Sequence, residues 1–270
     1  MKISPHAIID PRAEISPDAE IGPLCVIGPD VKIDAGTRLL SNVTIMGPTT
    51  IGQGNLISPQ VVLGGAPQDR KYSGAPTRLE IGNNNILREG VTIHRGTEKG
   101  GGCTRVGNNN YLMCNVHLGH DVQFGSNCTI ANSAMVAGHV VIRDNVVMGG
   151  GVGIHQFVTV GEFCFLGGAS RIHHDVPPFM RVDGADQIRG VNIKLLKACG
   201  YKQGEIEELE DACRRLFYRK DDTPFAAVLD EFNTLNGISP SVRRLVEFLR
   251  QRDTGKHGRY LESLRGRSPV

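Results

Sequence analysis

The chain has 270 residues, with 30 Lys or Arg against 28 Asp or Glu, so its formal net charge is only +2. This balance gives no reason to expect a nucleic-acid partner, and no apolar run approaches the ~18 residues of a membrane-spanning helix. The N-terminus lacks the apolar segment of a signal peptide, and the 7 cysteines form no CxxC pair, so we expect reduced thiols in a cytoplasmic protein.

A large apolar residue recurs at every sixth position, which we call an anchor. Anchors run from Ile9 to Leu63, from Ile81 to Ile93 and from Val106 to Ile172. Neither a helix nor an ordinary strand has this period, but a coil of three short strands joined by tight turns does. The anchors then point inward and stack on those of the next coil. The pattern predicts a mainly β fold, a parallel β-helix of hexapeptide repeats.

Two segments interrupt the period, at residues 64–80 and 94–105. Insertions in a solenoid leave it as loops, often over the face that binds ligands. We therefore expect two loops near a functional site, with plain spacer loops as the alternative.

Composition changes near the end of the repeats. The segment 175–178 contains two prolines and stops the coils, so residues 1–190 are assigned to the β-helix. Residues 191–270 carry helical patterns, including Ser239-Pro240 as an N-cap followed by proline, and are assigned to a helical C-terminal domain. Residues 254–270 are basic, and we expect them to be frayed.

One polar cluster has a spacing that matters chemically. His120 lies two residues after the anchor Leu118, and Gly138 follows 18 residues later, which is one coil. We therefore expect the Gly138 amide to lie beside the imidazole. A base can take a proton from an attacking hydroxyl while an amide N–H stabilises an oxyanion, and Asp121 can hold the histidine tautomer. This arrangement is typical of acyl transfer.

The same residues allow other interpretations. His117, His120 and, one coil later, His139 could ligate zinc, as histidines of the γ-class carbonic anhydrases do on this kind of solenoid. Alternation along a short strand tends to separate His117 from His120, which weakens that interpretation. Solvated histidines without function are the third possibility. The cluster alone favours acyl transfer and leaves all three open.

Longer strings resemble the acyl-carrier-protein–UDP-N-acetylglucosamine O-acyltransferase family of lipid A biosynthesis, over essentially the whole chain. The strings that carry the resemblance are QDRKYSG at 68–74, VTIHRGT at 91–97, HLGHD at 117–121, AGHV at 137–140, HQF at 155–157, DVPP at 175–178 and GVNI at 190–193.

The resemblance implies a left-handed β-helix, a homotrimer with sites between subunits, and no metal. It implies transfer of a β-hydroxyacyl chain from acyl carrier protein to the 3-hydroxyl of UDP-N-acetylglucosamine, with no cofactor beyond the phosphopantetheine of the carrier. His120 would be the general base, Asp121 its orienting partner, and Gly138 the oxyanion donor.

The resemblance also assigns binding positions. Gly168 matches the position that sets acyl-chain length, whereas Lys194, Ala198 and Cys199 replace an acidic residue and an arginine pair common in the family. An altered sugar nucleotide therefore stays open. The substrate-binding positions implied are Asp69, Lys71, His117, His139, His155, Gln156 and, for the nucleotide, Asn192.

Three competing functions remain at this point. The related N-acyltransferase acting on an amino sugar usually has a domain before the repeats, whereas the hexads here begin by Ile9. The others are the zinc lyase and a scaffold without activity. For the acyltransferase, the acidic carrier protein would dock on basic residues of the C-terminal part. These candidates are Lys194, Lys197, Lys202, Arg214 and Arg215.

Overall fold

The computed structural model describes residues 2–219, 221, 223–234 and 237–265. Its first part is a stack of short strands, most of them two residues long. The strands are β1 (Lys2–Ile3), β2 (Ile8–Ile9), β3 (Glu14–Ile15), β4 (Glu20–Ile21), β5 (Val26–Ile27), β6 (Val31–Ile33), β7 (Arg38–Leu39), β8 (Thr44–Ile45), β9 (Thr49–Ile51), β10 (Leu56–Ile57), β11 (Val62–Gly65), β12 (Arg78–Ile81), β13 (Ile86–Leu87), β14 (Thr92–His94), β15 (Cys103–Val106), β16 (Tyr111–Leu112), β17 (His117–Leu118), β18 (Gln123–Phe124), β19 (Thr129–Ile130), β20 (Met135–Val136), β21 (Val141–Ile142), β22 (Val147–Met148), β23 (Gly153–Ile154), β24 (Thr159–Val160), β25 (Phe165–Leu166), β26 (Arg171–Ile172), β27 (Met180–Asp183) and β28 (Gln187–Val191).

From β1 to β26 each strand pairs in parallel with the strand three places along the chain, which makes three sheets around one axis. Sheet A contains β1, β4 and every third strand to β25, and then β27 and β28; sheet B runs from β2 to β26, and sheet C from β3 to β24. Leu112 lies beside Ile130, 18 residues later. The offset is 30 where Ile57 pairs with Leu87 and 25 where Ile81 pairs with Val106. The two insertions therefore leave the coil without shifting its register.

The predicted anchors form the core. From Ile21 to Ile172 every anchor is buried, whereas Ile9 and Ile15, in the first described coil, are half-buried. At most corners from Leu24 onward one residue adopts the left-handed backbone region, including Asp121 with φ 62° and His139 with φ 61°. Many of these corner residues are Asn, Asp or Gly, which adopt this region most readily and so favour the tight turns between sheets.

The rest of the chain is mostly helical. β27 and β28 form an antiparallel pair at the end of sheet A, and five amphipathic or short helices follow among the described residues. The Ser239 hydroxyl accepts a hydrogen bond from the Val242 amide at 3.3 Å, as predicted for an N-cap. None of the described helices is long and apolar enough to cross a membrane. The helices are α1 (Ile193–Ala198), α2 (Gln203–Phe217), α3 (Phe225–Thr234), α4 (Pro240–Asp253) and α5 (Tyr260–Leu264).

The expectation that the chain is frayed after residue 254 is wrong for α5. The Tyr260 amide donates a hydrogen bond to Asp175 Oδ2 at 2.7 Å, and the Arg259 guanidinium donates to the His173 carbonyl at 2.7 Å. Asp175 and Arg259 are both nearly buried. These contacts hold α5 on the last coils, while residues 266–270 of the predicted segment lie outside the described residues.

Candidate active site

The candidate site lies along one corner of the prism, the edge that follows the strands of sheet B. Strands β11 and β14 end where the two inserted loops begin, at residues 66–77 and 95–102. Strands β17, β20 and β23 end just before His120, Gly138 and Gln156. The parallel register therefore places both loops and these three residues along one edge.

At this edge His120 is held by Asp121. The imidazole Nδ1 lies 2.8 Å from Asp121 Oδ2, and only 16% of the His120 side chain is exposed. The Thr97 hydroxyl donates to the same oxygen at 2.6 Å, and the Thr97 amide donates to Oδ1 at 2.8 Å. A carboxylate beside Nδ1 favours the tautomer with the proton on Nδ1, which leaves Nε2 as the free basic atom.

Loop 95–102 closes over the Asp121 carboxylate. A Cβ at Gly100 would collide with that carboxylate, so only glycine permits the approach. Burial opposes ionisation of Asp121, but hydrogen bonds from His120 and Thr97 outweigh it, and the pKa of Asp121 is lowered. The carboxylate therefore stays ionised behind the imidazole.

Gly138 forms the floor under the imidazole. A Cβ on Gly138 would lie 2.6 Å from Cε1 and 2.7 Å from Nε2 of His120, so the ring packs directly on the glycine backbone. The Gly138 amide donates no hydrogen bond to any described residue, whereas the amide two residues after anchor Phe124, that of Ser126, donates to Asp144 Oδ1 at 2.7 Å. An unpaired amide thus lies next to the free nitrogen of His120.

Other histidines surround this pair. His139 is stacked on the Phe157 ring at 4.5 Å and meets His120 edge-on at 5.0 Å, and its pKa is lowered mainly by burial. The His117 Nδ1 lies 2.8 Å from the Thr92 hydroxyl, and burial followed by the charge of His120 lowers its pKa. Both rings are therefore favoured as neutral hydrogen-bonding groups near neutral pH.

Two cavities of about 680 Å³ each meet at His120. The face cavity lies on the outer side of sheet B and includes His117, Gly138 and His155. The loop cavity lies under the inserted loops. Both are also lined by Gln68 and Gln156. The further residues of the loop cavity are Asp69, Lys71, Thr97, Glu98, Lys99, His139, Phe157, Leu261, Leu264 and Arg265.

Three predicted site residues line neither cavity: Asp121, which is buried behind His120, and Asn192 and Gly168. Asn192 is nearly buried before α1, where its side-chain amide donates to the Phe163 carbonyl at 2.9 Å. Gly168 lies at a corner after sheet A, next to the Gly150 carbonyl. Within one chain the structure does not bring Asn192 or Gly168 to His120.

Several residues of the site received no role from the sequence. Thr97 lies in the string at 91–97, and Phe157 in the string at 155–157, but neither was given a function. His94 packs edge-on against His117 at 5.0 Å, and its pKa is lowered to about 4, chiefly by burial. The residues of α5 carried no motif at all, because nothing in a basic terminal segment indicates where it folds back.

The cluster also has to be considered as a metal centre. His120, Asp121 and His139 place ligand atoms within 4.8 Å of one another, the only such group among the described residues. However, Asp121 Oδ2 already accepts hydrogen bonds from the Thr97 hydroxyl and from His120 Nδ1. Zinc at this oxygen would have to displace one of them, so the donor set fits a hydrogen-bonded base better than a metal.

Comparisons with known proteins agree with this geometry. Residues 175–258 match the family model described as UDP-N-acetylglucosamine O-acyltransferase, domain 2; residues 103–138 match the bacterial transferase hexapeptide (six repeats), and residues 3–96 match the GMPPB C-terminal domain. An acyl-[acyl-carrier-protein]–UDP-N-acetylglucosamine O-acyltransferase of Synechocystis is 40% identical over 219 residues, 80% of this chain and 78% of that protein. The enzyme of the same name from Verminephrobacter eiseniae is 44% identical over 184 residues, 68% of this chain and 70% of that protein.

Solved structures of UDP-N-acetylglucosamine acyltransferases are similar to this chain over most of its length. LpxA from Acinetobacter baumannii has a TM-score of 0.87 at 40% identity, over 92% of this chain and 96% of that one. The UDP-N-acetylglucosamine acyltransferase of Arabidopsis has a TM-score of 0.84 at 31% identity, over 93% and 97%. The predicted mainly β, left-handed parallel β-helix with a helical C-terminal part is confirmed. The chain belongs to the acyl-[acyl-carrier-protein]–UDP-N-acetylglucosamine O-acyltransferase family.

Proposed function

We propose that this acyltransferase moves a β-hydroxyacyl chain from acyl carrier protein to the 3-hydroxyl of UDP-N-acetylglucosamine, the first step of lipid A biosynthesis. The observation that carries the proposal is the contact between His120 and Gly138, with Asp121 behind the imidazole at 2.8 Å. The base and an unpaired amide then lie side by side, and the carboxylate orients the base from the far side of the ring. Acyl transfer to a hydroxyl needs these three groups.

In the first step His120 Nε2 takes the proton of the sugar hydroxyl. As it does so, the hydroxyl oxygen attacks the thioester carbonyl carbon and the carbonyl oxygen becomes an oxyanion. The Asp121 carboxylate, held by two hydrogen bonds from Thr97, stabilises the imidazolium that forms. The Gly138 amide donates to the oxyanion.

In the second step the tetrahedral adduct collapses. The carbon–sulfur bond breaks, the proton on Nε2 moves to the departing thiolate of the phosphopantetheine, and the sugar ester and free thiol result. His120 is then neutral again, so one residue serves as base and acid in turn.

The two cavities that meet at His120 support direct transfer without an acyl-enzyme. One substrate can approach from the loop cavity and the other from the face cavity. The described lining of both cavities contains neither Cys nor Ser, and the Thr97 hydroxyl is engaged with Asp121. A free thiol or hydroxyl nucleophile for a covalent intermediate is thus missing from the described lining. Asp69, Lys71, His139 and Gln156 bind the sugar nucleotide from the loop side.

A homotrimer accounts for the outer face of sheet B. Three outward side chains of this sheet are apolar and exposed, namely Ile8 at 68%, Val26 at 40% and Met135 at 49%. Met135 lies directly beside His117. An exposed apolar face next to a site is typical of an interface between subunits. A neighbouring subunit there would bring further residues, such as its Asn192 and Gly168, toward His120.

The basic residues proposed for carrier docking differ in their surroundings. Lys194, Lys197 and Lys202 are exposed, whereas Arg215 is tied to Glu231 at 2.9 Å and Arg214 to Asp211 at 3.2 Å. The three lysines therefore carry the docking proposal. Apparent affinity for the acidic carrier should fall as salt rises, because exposed charges are screened.

The experiment that tests the function is an incubation of the protein with UDP-N-acetylglucosamine and a series of hydroxyacyl carrier proteins, with products identified by mass. Release of free carrier thiol together with an acylated sugar nucleotide that mild alkali cleaves supports ester formation. An alkali-stable product from an amino sugar would show N-acyl transfer instead. Absence of product with every donor and sugar would contradict the proposed function.

A further inference from the structure

The C-terminal helix α5 forms one wall of the loop cavity, although its residues follow His120 by about half of the chain. Leu261, Leu264 and Arg265 line the cavity opposite the two inserted loops. The Arg265 guanidinium lies over the Phe157 ring, 5.4 Å from its centre, and Phe157 in turn stacks on His139. Arg265 is therefore two rings away from the catalytic pair.

The position of α5 is fixed by buried contacts. The Asp175 carboxylate accepts hydrogen bonds from the Tyr260 amide at 2.7 Å and from the Thr159 amide at 2.7 Å. The Arg259 guanidinium reaches the His173 carbonyl at 2.7 Å and is nearly buried. Since these bonds join α5 to the last coils, Arg265 is presented to the cavity by the scaffold rather than by a free tail.

The charge at this wall is only partly neutralised. Arg265 meets Glu262 at 3.2 Å, but Glu262 also lies 3.5 Å from Arg259. One carboxylate cannot neutralise two guanidinium groups, and 56% of the Arg265 side chain stays exposed. Lys71 and Lys99 line the same cavity, and neither is ion-paired with a described residue. The cavity thus holds three cations against the two carboxylates of its lining, Asp69 and Glu98.

We propose that Arg265 is a substrate-binding residue that holds a phosphate group in the loop cavity. The guanidinium presents several N–H donors to an anion, and the Phe157 ring keeps its plane in place. The proposal rests on the proposed function, because both substrates of that reaction carry phosphate: the diphosphate of the sugar nucleotide and the phosphodiester of phosphopantetheine. The chemistry is the same for either source, and the experiment separates them.

The test combines one substitution with removal of the phosphate from each ligand. Arg265→Gln removes the charge and leaves a shorter polar side chain; Arg265→Lys keeps the charge and loses the planar fork. The matched control is Arg12→Gln, an exposed arginine paired with Asp10 and Asp30 in the first coils. Calorimetric titration measures UDP against uridine, and steady-state kinetics measures acyl-phosphopantetheine against acyl-pantetheine.

For the substrate whose phosphate Arg265 holds, Arg265→Gln should weaken binding of the phosphorylated ligand about tenfold and leave binding of the dephosphorylated ligand unchanged. This size is expected because a charge-assisted hydrogen bond at a half-exposed site contributes a free energy near the lower end of its range. Arg265→Lys should recover part of the loss, and Arg12→Gln should match the wild type. The other ligand pair should not respond.

Two results would overturn the proposal. In one, Arg265→Gln prefers UDP to uridine, and acyl-phosphopantetheine to acyl-pantetheine, by the same factors as the wild type. In the other, kcat falls while the preference for phosphate is unchanged, which would mean that Arg265 only positions Phe157 and His139. The binding experiment with UDP and uridine needs no turnover. A failure of the proposed function, seen as absent product from the wild type, is therefore distinguishable from a failure of this assignment.

Discussion

Replacing Gly138 by Ala would test the catalytic geometry with one added methyl group. The new Cβ would lie 2.6 to 3.0 Å from three atoms of the His120 ring, where contacts between heavy atoms normally begin at about 3.5 Å. The ring must retreat by about 1 Å, and it can do so only by moving away from the Gly138 amide or from Asp121. A misplacement of about this size costs on the order of 10² in rate, and loss of an oxyanion donor costs 10² to 10³.

We therefore expect Gly138→Ala to lower kcat by about 10² to 10³, with little change in KM for either substrate. Gly150→Ala is the structural control, because Gly150 holds the same place in its hexad and a Cβ there would meet only the Asn132 carbonyl, at 3.4 Å. Both variants should melt near the wild type. If Gly138→Ala kept kcat within threefold while remaining folded, His120 and Gly138 would not act together.

Four further outcomes follow from the same site. His120→Ala should lower kcat by about 10² to 10⁴ and keep the wild-type melting temperature, because the side chain is not a core anchor. Prolonged dialysis against EDTA should leave turnover unchanged, and stoichiometric zinc whose removal abolishes activity would contradict this. Folding lowers the pKa of Asp121, so its carboxylate stabilises the fold fully above the unfolded pKa of about 3.9. That stabilisation is lost as the pH falls through the lowered pKa of the folded state. Asp121→Asn should therefore show a smaller drop in melting temperature between pH 6 and pH 3 than the wild type. Gly168→Met should shift preference to a shorter acyl chain by about fourfold per lost methylene, since each contributes about 0.8 kcal/mol, and an unchanged chain-length profile would place the end of the groove elsewhere.

The added side chain in Gly168→Met is compatible with the backbone. A Cβ at Gly168 would meet the Gly150 carbonyl at 3.5 Å, an ordinary contact, and Gly168 has no left-handed φ. Its neighbour Gly167 differs, because a Cβ there would collide with the Asp183 carboxylate. A general loss of activity in Gly168→Met therefore cannot be assigned to local strain.

The sequence predicted the fold because a solenoid repeats one local rule. Each anchor needs only its own coil and the next, so the period of six determines the pairing of the strands and the burial of the core. The contact between His120 and Gly138 followed from the same rule, since residues 18 apart stack in neighbouring coils. The insertions were visible as gaps in the period, and the register resumes after each one.

The period could not predict contacts made across the coils. Thr97 reaches Asp121 from within an inserted loop, and that loop has no periodic register to fix its path. Helix α5 docks through a hydrogen bond from the Tyr260 backbone amide to the Asp175 carboxylate, and these two residues are 85 positions apart. Such pairs leave no trace in the spacing of a single sequence, because neither residue type is unusual where it stands.

The position of the site then has a physical reason. The prism interior is filled by anchors, so reacting groups can only lie on an outer edge, where water and flexible side chains would normally weaken them. At the sheet B edge the coils hold His120 and Gly138 one layer apart, and loop 95–102 buries the carboxylate behind the imidazole. Helix α5 forms part of the lining of the adjoining loop cavity. The catalytic spacing is therefore set by backbone pairing that is present before substrate binds, and little of the binding energy is needed to create it.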